Sequence, residues 1–151
     1  SEPSRIAHFS PDRVYRYWLE IRWAEGPAIN FLMLNPSTAD EQKNDPTVER
    51  CEQRARDWGF NRLIVTNLFA YRATSPLDMK AQADPVGQGN DAAIVAAARH
   101  RDAQRNQFAC LFVESAFFGA GGCQLRERGH QVRLRLAQAA HAGRYLCVSS
   151  L

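Results

Sequence analysis

The sequence contains no apolar run long enough to span a bilayer, and its opening residues lack the pattern of a signal peptide. We therefore expect a cytoplasmic protein without a membrane partner. Cysteine is also scarce, because only four occur in 151 residues and no two of them form a CxxC pair. Their wide spacing, at positions 51, 110, 123 and 147, disfavours a structural zinc site and is typical of reduced thiols.

A strong charge of either sign is missing as well. The 19 Lys and Arg residues against 16 Asp and Glu residues give a net charge of +3, which permits an anionic partner without requiring one. No internal repeat or low-complexity tract is visible. With 45% apolar and 23% charged residues, the composition is that of an ordinary globular protein, and residues 1–151 suffice for one domain with one core.

Metal-ligand spacing is also lacking, because the four histidines fall in tails or arginine-rich segments, at positions 8, 100, 130 and 141. Asp40, Asp45 and Glu49 form a carboxylate cluster that could hold Mg²⁺. Asp45, however, directly precedes Pro46 at the start of a predicted helix, and a helix N-cap explains it. We expect neither a metal ion nor a cofactor.

The first half of the chain predicts two strands. Residues 28–34 are apolar except for Asn30, a pattern typical of a strand buried on both faces, and the strand must stop at Asn35 because Pro36 cannot donate to a ladder. Residues 13–23 are rich in aromatic and β-branched side chains and predict a preceding strand. The turn signal at 24–27 would join the two strands into an antiparallel hairpin, with residues 1–10 as a loose arm.

Helical spacing of apolar side chains follows over residues 46–58 and ends at Gly59, before a buried strand over 63–69. This strand–helix–strand order predicts a right-handed parallel crossover. The remaining expected elements are a short helix beginning at Ser75-Pro76, a helix over 91–99 capped by Asn90, a strand over 108–113, a helix over 124–140 and a strand over 144–151. The pattern predicts a single-domain, three-layer α/β fold whose mostly parallel central sheet is opened by the antiparallel hairpin.

Polar loops follow the two predicted parallel strands, and both loops should lie at the same edge of the sheet. In open α/β sheets, ligands bind at that edge. Each loop begins with an asparagine, Asn35 or Asn67, and the second adds a ring at Phe69 or Tyr71 and the guanidinium of Arg72. Together these groups could stack a flat molecule, bond its edge and hold an anion. The alternative is that the two asparagines only tie off strand ends through side-chain-to-backbone bonds.

Two weaker signals lie in the last third of the sequence. Residues 119–122 form a glycine-rich turn that could cradle a phosphate, although a plain connection explains it equally well. A basic face formed by the arginines at 126, 128, 133 and 135 could contact nucleic acid, although a solvated surface is the commoner arrangement.

Several motifs resemble the bacterial family of unknown function DUF1643. They are the stretches 31–40, Asp45-Pro46-Thr47 with Arg50-Cys51, Trp58-Gly59, 66–70 with 72–74, and Pro85-Val86-Gly87 with Asn90-Asp91. The resemblance covers residues 9–98. The family continues with a strand ending in Trp-Gly and a later Gly-x-Pro-x-His-Pro-Leu-Tyr segment, neither of which occurs here. We therefore hypothesise that residues 99–151 are an atypical or non-native end, introduced by a change of reading frame.

A more distant likeness to the uracil-DNA glycosylase superfamily implies a function. Its mismatch-specific branch has an Asn-Pro turn after the first core strand, where this chain reads Asn-Pro-Ser instead of Asn-Pro-Gly. The likeness implies that Asn35 positions an attacking water, that Asn67 bonds the edge of an extruded base and that Phe69 or Tyr71 stacks on it. The expected catalytic residues are Asn35 and Asp40, and the expected substrate-binding residues are Pro36, Ser37, Thr38, Asn67, Phe69, Tyr71 and Arg72.

Three functions follow from these patterns. The first is an enzyme that hydrolyses an N-glycosidic bond in a nucleoside or nucleic acid. The second is a non-catalytic protein that binds nucleotides or nucleic acid through Arg72 and the basic helix. The third is an inactive remnant of the family.

Overall fold

The computed structural model of the chain describes residues 2–99, 108–113, 127–132, 134–135 and 144–148. Its helices are α1 (Pro46–Asp57), α2 (Pro76–Lys80) and α3 (Asn90–Arg99), and residues 127–132 are also helical. Its strands are β1 (Ser4–Phe9), β2 (Arg16–Arg22), β3 (Ala28–Met33), β4 (Arg62–Asn67), β5 (Phe108–Val113) and β6 (Arg144–Val148).

Within these described residues the strands form one mixed sheet of six, in the order β1-β2-β4-β3-β5-β6. The pairs β1–β2 and β2–β4 are antiparallel, whereas β3–β4, β3–β5 and β5–β6 are parallel. The α/β class expected from the sequence is confirmed as this mixed sheet with helices.

The opening hairpin differs from the one expected. β2 pairs with β1 and β4, and β4 lies between β2 and β3, with Val65 opposite Leu19 on one side and Phe31 on the other. β3 cannot pair with β2 because parallel partners occupy both of its edges. Residues 4–9 are therefore an edge strand and not part of a loose arm. The turn that closes the β1–β2 hairpin is held by Asp12, whose Oδ1 accepts from Ser10 Oγ at 2.6 Å and from Val14 N at 3.1 Å.

Alternating side chains direct two apolar clusters to opposite sides of the sheet. Ile29 and Phe31 of β3 pack in one cluster with the buried face of α1, which consists of Val48, Cys51 and Ala55. On the other side, the sheet packs against the buried residues of α3. These buried residues are Ile94, Ala97 and Ala98. β3 is buried on both faces, as expected for a central strand, and its residues are apolar except for Asn30, whose Nδ2 donates to Ile64 O at 3.0 Å and to Thr66 Oγ1 at 3.2 Å.

The helix ends are partly those expected from the sequence. Asp45 caps α1, and Gly59 after the helix has φ +84°. Helix α2 begins at Pro76 as predicted, but its preceding Ser75 makes no side-chain cap bond. Asn90 was expected to cap α3, and this was wrong. Its Nδ2 instead donates to Asn67 O at 2.8 Å and to Leu68 O at 3.0 Å, because the buried end of β4 presents carbonyl groups that need donors.

A β-bulge at Tyr17 changes which side chain of β2 faces α1. The β1–β2 register pairs His8 with Trp18 and then Phe9 with Arg16, so that Tyr17 is an extra residue. Leu19 and Ile21 face α1, and strict alternation would place Tyr17 beside them. The bulge instead directs Arg16 to that side, while the ring of Tyr17 lies against Gly87.

We predict that Gly87→Ala destabilises the protein more than Gly59→Ala. Both glycines have φ +84°, which costs alanine about 1–2 kcal/mol. A Cβ at Gly59 meets open space, whereas a Cβ at Gly87 would lie 2.8 Å from Tyr15 Cδ1, which adds an overpacking cost of about 1–3 kcal/mol. Urea unfolding of both variants measures the difference, and equal midpoints would contradict the tight packing of Tyr15 and Tyr17 on this glycine.

Candidate functional site

A cavity of about 150 Å³ opens where β3 and β4 end beside the first turns of α1. It is lined by Arg16, Met33, Leu34, Asn35, Pro36, Ser37, Asp45, Thr47, Val48, Cys51, Val65 and Asn67. Its outer residue Thr47 is exposed, and Asn35 and Ser37 are half-buried. Arg16, Cys51 and Asn67 are buried and form the interior. The cavity therefore runs from a polar rim to a buried end that carries a guanidinium and an amide.

Asn35 and Asn67 line this cavity together. The parallel register of β3 and β4 places Met33 opposite Asn67, and the pairing continues past the strands because Leu68 N donates to Met33 O and Phe69 N donates to Leu34 O, both at 3.0 Å. The two polar loops thus leave the same edge of the sheet. The edge expected to carry the site is the edge where the cavity lies.

The amide of Asn35 is partly used in holding its own loop. Its Nδ2 donates to Ala73 O at 2.9 Å and to Pro36 O at 3.2 Å. This is the backbone bonding that the sequence left open as an alternative, and it joins the two loops. The Oδ1 atom is the part of the side chain that can accept a hydrogen bond from a water or a ligand.

Asn67 behaves differently. Only 2% of the residue is exposed, and its Oδ1 is a buried acceptor without a hydrogen-bond partner in the described part of the chain. An unsatisfied buried acceptor costs about 1–3 kcal/mol, and native proteins seldom retain one without a reason. A donor on a molecule in the cavity would satisfy it.

Asp45 joins the loop to the helix. Its Oδ1 accepts from Val48 N at 2.9 Å, and its Oδ2 accepts from Ala39 N at 3.2 Å. Both oxygens therefore serve the backbone. Within the ranges that the structure describes, no three His, Cys, Asp or Glu side chains are grouped to hold a metal ion.

Arg16 is a site residue that the sequence analysis missed. Only 2% of it is exposed, its Nη1 donates to Ala39 O at 2.8 Å, and its buried Nε has no partner among the described residues. Burial lowers the pKa of the guanidinium to about 10, against the opposing effect of the Asp45 charge, so that Arg16 is a cation at neutral pH. The bulge that directs it to the cavity leaves no signal in the alternation of β2.

Cys51 forms part of the apolar wall of the cavity and does not act as a nucleophile. Burial raises the pKa of its thiol to about 12, and the side chain is fully buried. A thiol is nucleophilic only as the thiolate, which is scarce here at neutral pH.

Several expected site residues lie away from the cavity lining. Pro36 and Ser37 line the cavity, but Thr38 is exposed and is not part of the lining. Asp40 is also absent from it, because its Oδ1 closes a turn by accepting from Gln42 N and Lys43 N, each at 2.8 Å. These two backbone bonds hold the pKa of the Asp40 carboxyl below its usual value.

The ring and guanidinium of the second loop are placed elsewhere too. Phe69 packs in the apolar cluster on the α3 side of the sheet, and Tyr71 meets Tyr15 edge-on at 5.8 Å between ring centroids. Arg72 Nε donates to Ser37 O at 3.3 Å, and Arg72 Nη1 donates to Arg13 O at 3.3 Å. Arg72 therefore supports the loop that carries Ser37, and the stacking expected of Phe69 or Tyr71 cannot occur in this cavity.

The fold and site define an α/β protein with a small ligand-sized cavity at the carboxyl edge of its sheet. The chain matches, over residues 16–150, the family described as "Protein of unknown function (DUF1643)", and it belongs to that family. The match extends well past residue 98, so the expectation that residues 99–151 fall outside the family is not confirmed.

No curated protein and no solved structure matches the chain. In the portion that the structure describes, none of the helices has the length and apolar character needed to cross a membrane. The helix expected over residues 124–140 falls only partly on described residues, and the glycine-rich turn at 119–122 lies outside them.

We predict that Asp45→Ala destabilises the protein by about 2–4 kcal/mol, because it removes the helix cap and leaves the buried Ala39 N–H unpaired. Glu49→Ala is the control, since Glu49 lies in the same helical turn but is exposed. Its cost should be a few tenths of a kcal/mol, roughly that of a surface change. Urea unfolding gives both values, and a similar cost for the two variants would contradict the role of Asp45.

We also predict that Cys51 resists alkylation in the folded protein. Its raised pKa and full burial keep the thiol protonated and inaccessible, so iodoacetamide should label the peptide that contains Cys51 only after unfolding in urea. Peptide mapping by mass spectrometry separates this thiol from the other three cysteines. Rapid labelling at neutral pH without denaturant would show that the cavity wall is open.

Proposed function

We propose that this protein hydrolyses the N-glycosidic bond of a nucleobase, in a nucleoside or a nucleic acid. The proposal follows the distant likeness to the uracil-DNA glycosylase superfamily. The observation that carries it is the single cavity lined by both Asn35 and Asn67, in which Asn67 offers a buried and unpaired acceptor. The proposal therefore depends on the two predicted loops sharing one site.

The size of the cavity favours a single ring as its occupant. A volume of about 150 Å³ matches engineered protein cavities that bind benzene, which is a six-membered ring. A nucleoside would not fit inside, so its sugar would remain at the rim. Asn35 lies at that rim, where the bond between ring and sugar would be.

Five of the residues that line the cavity have a role in this proposal. The Asn67 amide bonds the edge of the ring through its unpaired Oδ1. Aliphatic side chains cover the faces of the ring in place of the aromatic residues expected from the sequence. These aliphatic side chains are Met33, Val48 and Val65. Asn35 accepts from a water through Oδ1 and orients it toward the sugar.

The reaction does not require a strong nucleophile. Breaking the bond builds positive charge on the sugar, so a positioned water suffices. A neutral amide is a poor general base, and turnover should therefore be slow. A base in a duplex must first leave the stack to reach the cavity.

A second candidate is a binding protein without catalysis. It is favoured by the bonding of two polar side chains of the cavity lining, since the Asn35 amide nitrogen and both Asp45 oxygens are engaged with the backbone. An inactive member of the family would share this arrangement.

Two expectations from the sequence remain predictions for the whole chain. They are a three-layer fold with a mostly parallel sheet, and an atypical end of the chain.

We predict slow base release from a panel of single-stranded and duplex oligonucleotides, each carrying one damaged or mismatched base, measured by chromatography of the freed base. Asn35→Ala should lower the rate roughly 100-fold with binding retained, because it removes the water-positioning group. Asn67→Ala should weaken binding of the base. Gln42→Ala is the control, since its side chain is exposed and outside the cavity lining.

The outcomes separate the candidates. Absence of release by the wild type at high enzyme concentration would contradict hydrolysis. Oligonucleotide affinity that falls steeply with salt and ignores Asn35→Ala would then support the binding protein. A wild type that neither releases bases nor binds oligonucleotides would be the inactive remnant.

A further inference from the structure

Arg16 is a buried cation that forms no ion pair with a carboxylate of the described residues. Of the ion pairs formed by described residues, none includes Arg16. The nearest counter-charge in the cavity lining is Asp45, which opposes the lowering of the Arg16 pKa by burial. Both Asp45 oxygens, however, already accept from backbone N–H groups. Among the described residues, the Asp45 charge partly compensates the guanidinium, but no carboxylate forms an ion pair with it.

The hydrogen bonding of Arg16 is also incomplete. A guanidinium carries five N–H donors, and Nη1 is bonded to Ala39 O while the buried Nε–H has no partner in the described residues. The first turn of α1 adds the positive end of a helix dipole, since Thr47 and Val48 also line the cavity. The interior thus combines a cation, an unpaired donor and the start of a helix, together with the Asp45 carboxylate that caps this helix.

We infer that Arg16 binds negative charge on a ring held in this cavity, so that the cavity prefers a planar anion to a neutral ring of the same size. The inference deepens the proposed function by naming the charge state of the group that Arg16 receives. In the proposed hydrolysis that group is the departing base. Asn67 would bond the ring edge, and Arg16 would donate to the atom on which the negative charge resides.

The proposed step is balanced in atoms and electrons. The water oxygen forms a bond to the anomeric carbon while the bond from that carbon to the ring nitrogen breaks. The electron pair of the broken bond passes to the ring, which leaves as an anion beside Arg16. The attacking water loses a proton to solvent, and the ring anion takes up a proton from solvent after it departs.

The experiment compares two rings of nearly equal size by isothermal titration calorimetry. Barbiturate is an anion at neutral pH, and uracil is neutral there. We expect the wild type to bind barbiturate at least about tenfold more tightly than uracil, which corresponds to about 1.4 kcal/mol. Arg16→Met should reduce that ratio to within roughly twofold, because it keeps an unbranched apolar stem but removes the charge and the donors.

Arg56→Met is the matched control. Arg56 is an exposed arginine of α1 whose guanidinium lies over the Trp23 ring at 4.3 Å, outside the cavity lining. Its loss should leave the preference for barbiturate unchanged. A wild type that binds the two rings equally, binds neither, or keeps its preference in Arg16→Met would overturn the inference.

A second measurement does not depend on the folding of the variant. The affinity of the wild type for 5-nitrouracil, which ionises at mildly acidic pH, should rise as the pH is raised through that ionisation, because Arg16 stays protonated. A flat or falling affinity would overturn the inference. Failure of the two proposals is distinguishable: a charge preference without base release contradicts only the hydrolase, whereas base release without a charge preference contradicts only the role of Arg16.

Discussion

The double hydrogen bond made by the Asp45 carboxylate is the interaction on which the site depends. One oxygen caps α1 at Val48, and the other holds Ala39 at the far end of the loop that begins at Asn35. The same Ala39 accepts from Arg16 through its carbonyl, so the strand, the loop and the helix meet at one peptide segment. Without this junction the loop would lose the hydrogen bond that holds it at the start of α1, where both form the wall of the cavity.

The cavity forms where polar side chains occupy positions that apolar side chains would otherwise fill. Parallel pairing of β3 with β4 brings two strand ends together, and their residues Asn35 and Asn67 are too polar to fill the space as a core would. The bulge at Tyr17 then directs a cation to the same space. Buried polar atoms without partners are costly, and two of those in the described residues, Arg16 Nε and Asn67 Oδ1, belong to side chains that line this one small cavity, where a ligand would complete the bonding.

Local signals predicted the framework around this site. The Asp45-Pro46 start of α1, its end at Gly59 and the buried strands on either side all depend on neighbours within a few residues, and the structure confirms them. The expectation that the loops after β3 and β4 share an edge followed from chain direction alone. The placement of Phe69 and Tyr71 failed because loop composition does not tell which side of the sheet a side chain takes.

The sequence by itself therefore determined, to within two residues, where α1 and the two central strands begin and end, since caps, proline and apolar runs act over short distances. Only the tertiary structure decided that β4 lies between β2 and β3, that residues 4–9 form an edge strand and that Arg16 faces α1. Strand order and register depend on which edges remain available after the other strands have paired. A one-residue bulge turns a side chain to the opposite face of the sheet. It does not change the amino-acid composition of the strand, so the sequence pattern does not reveal it.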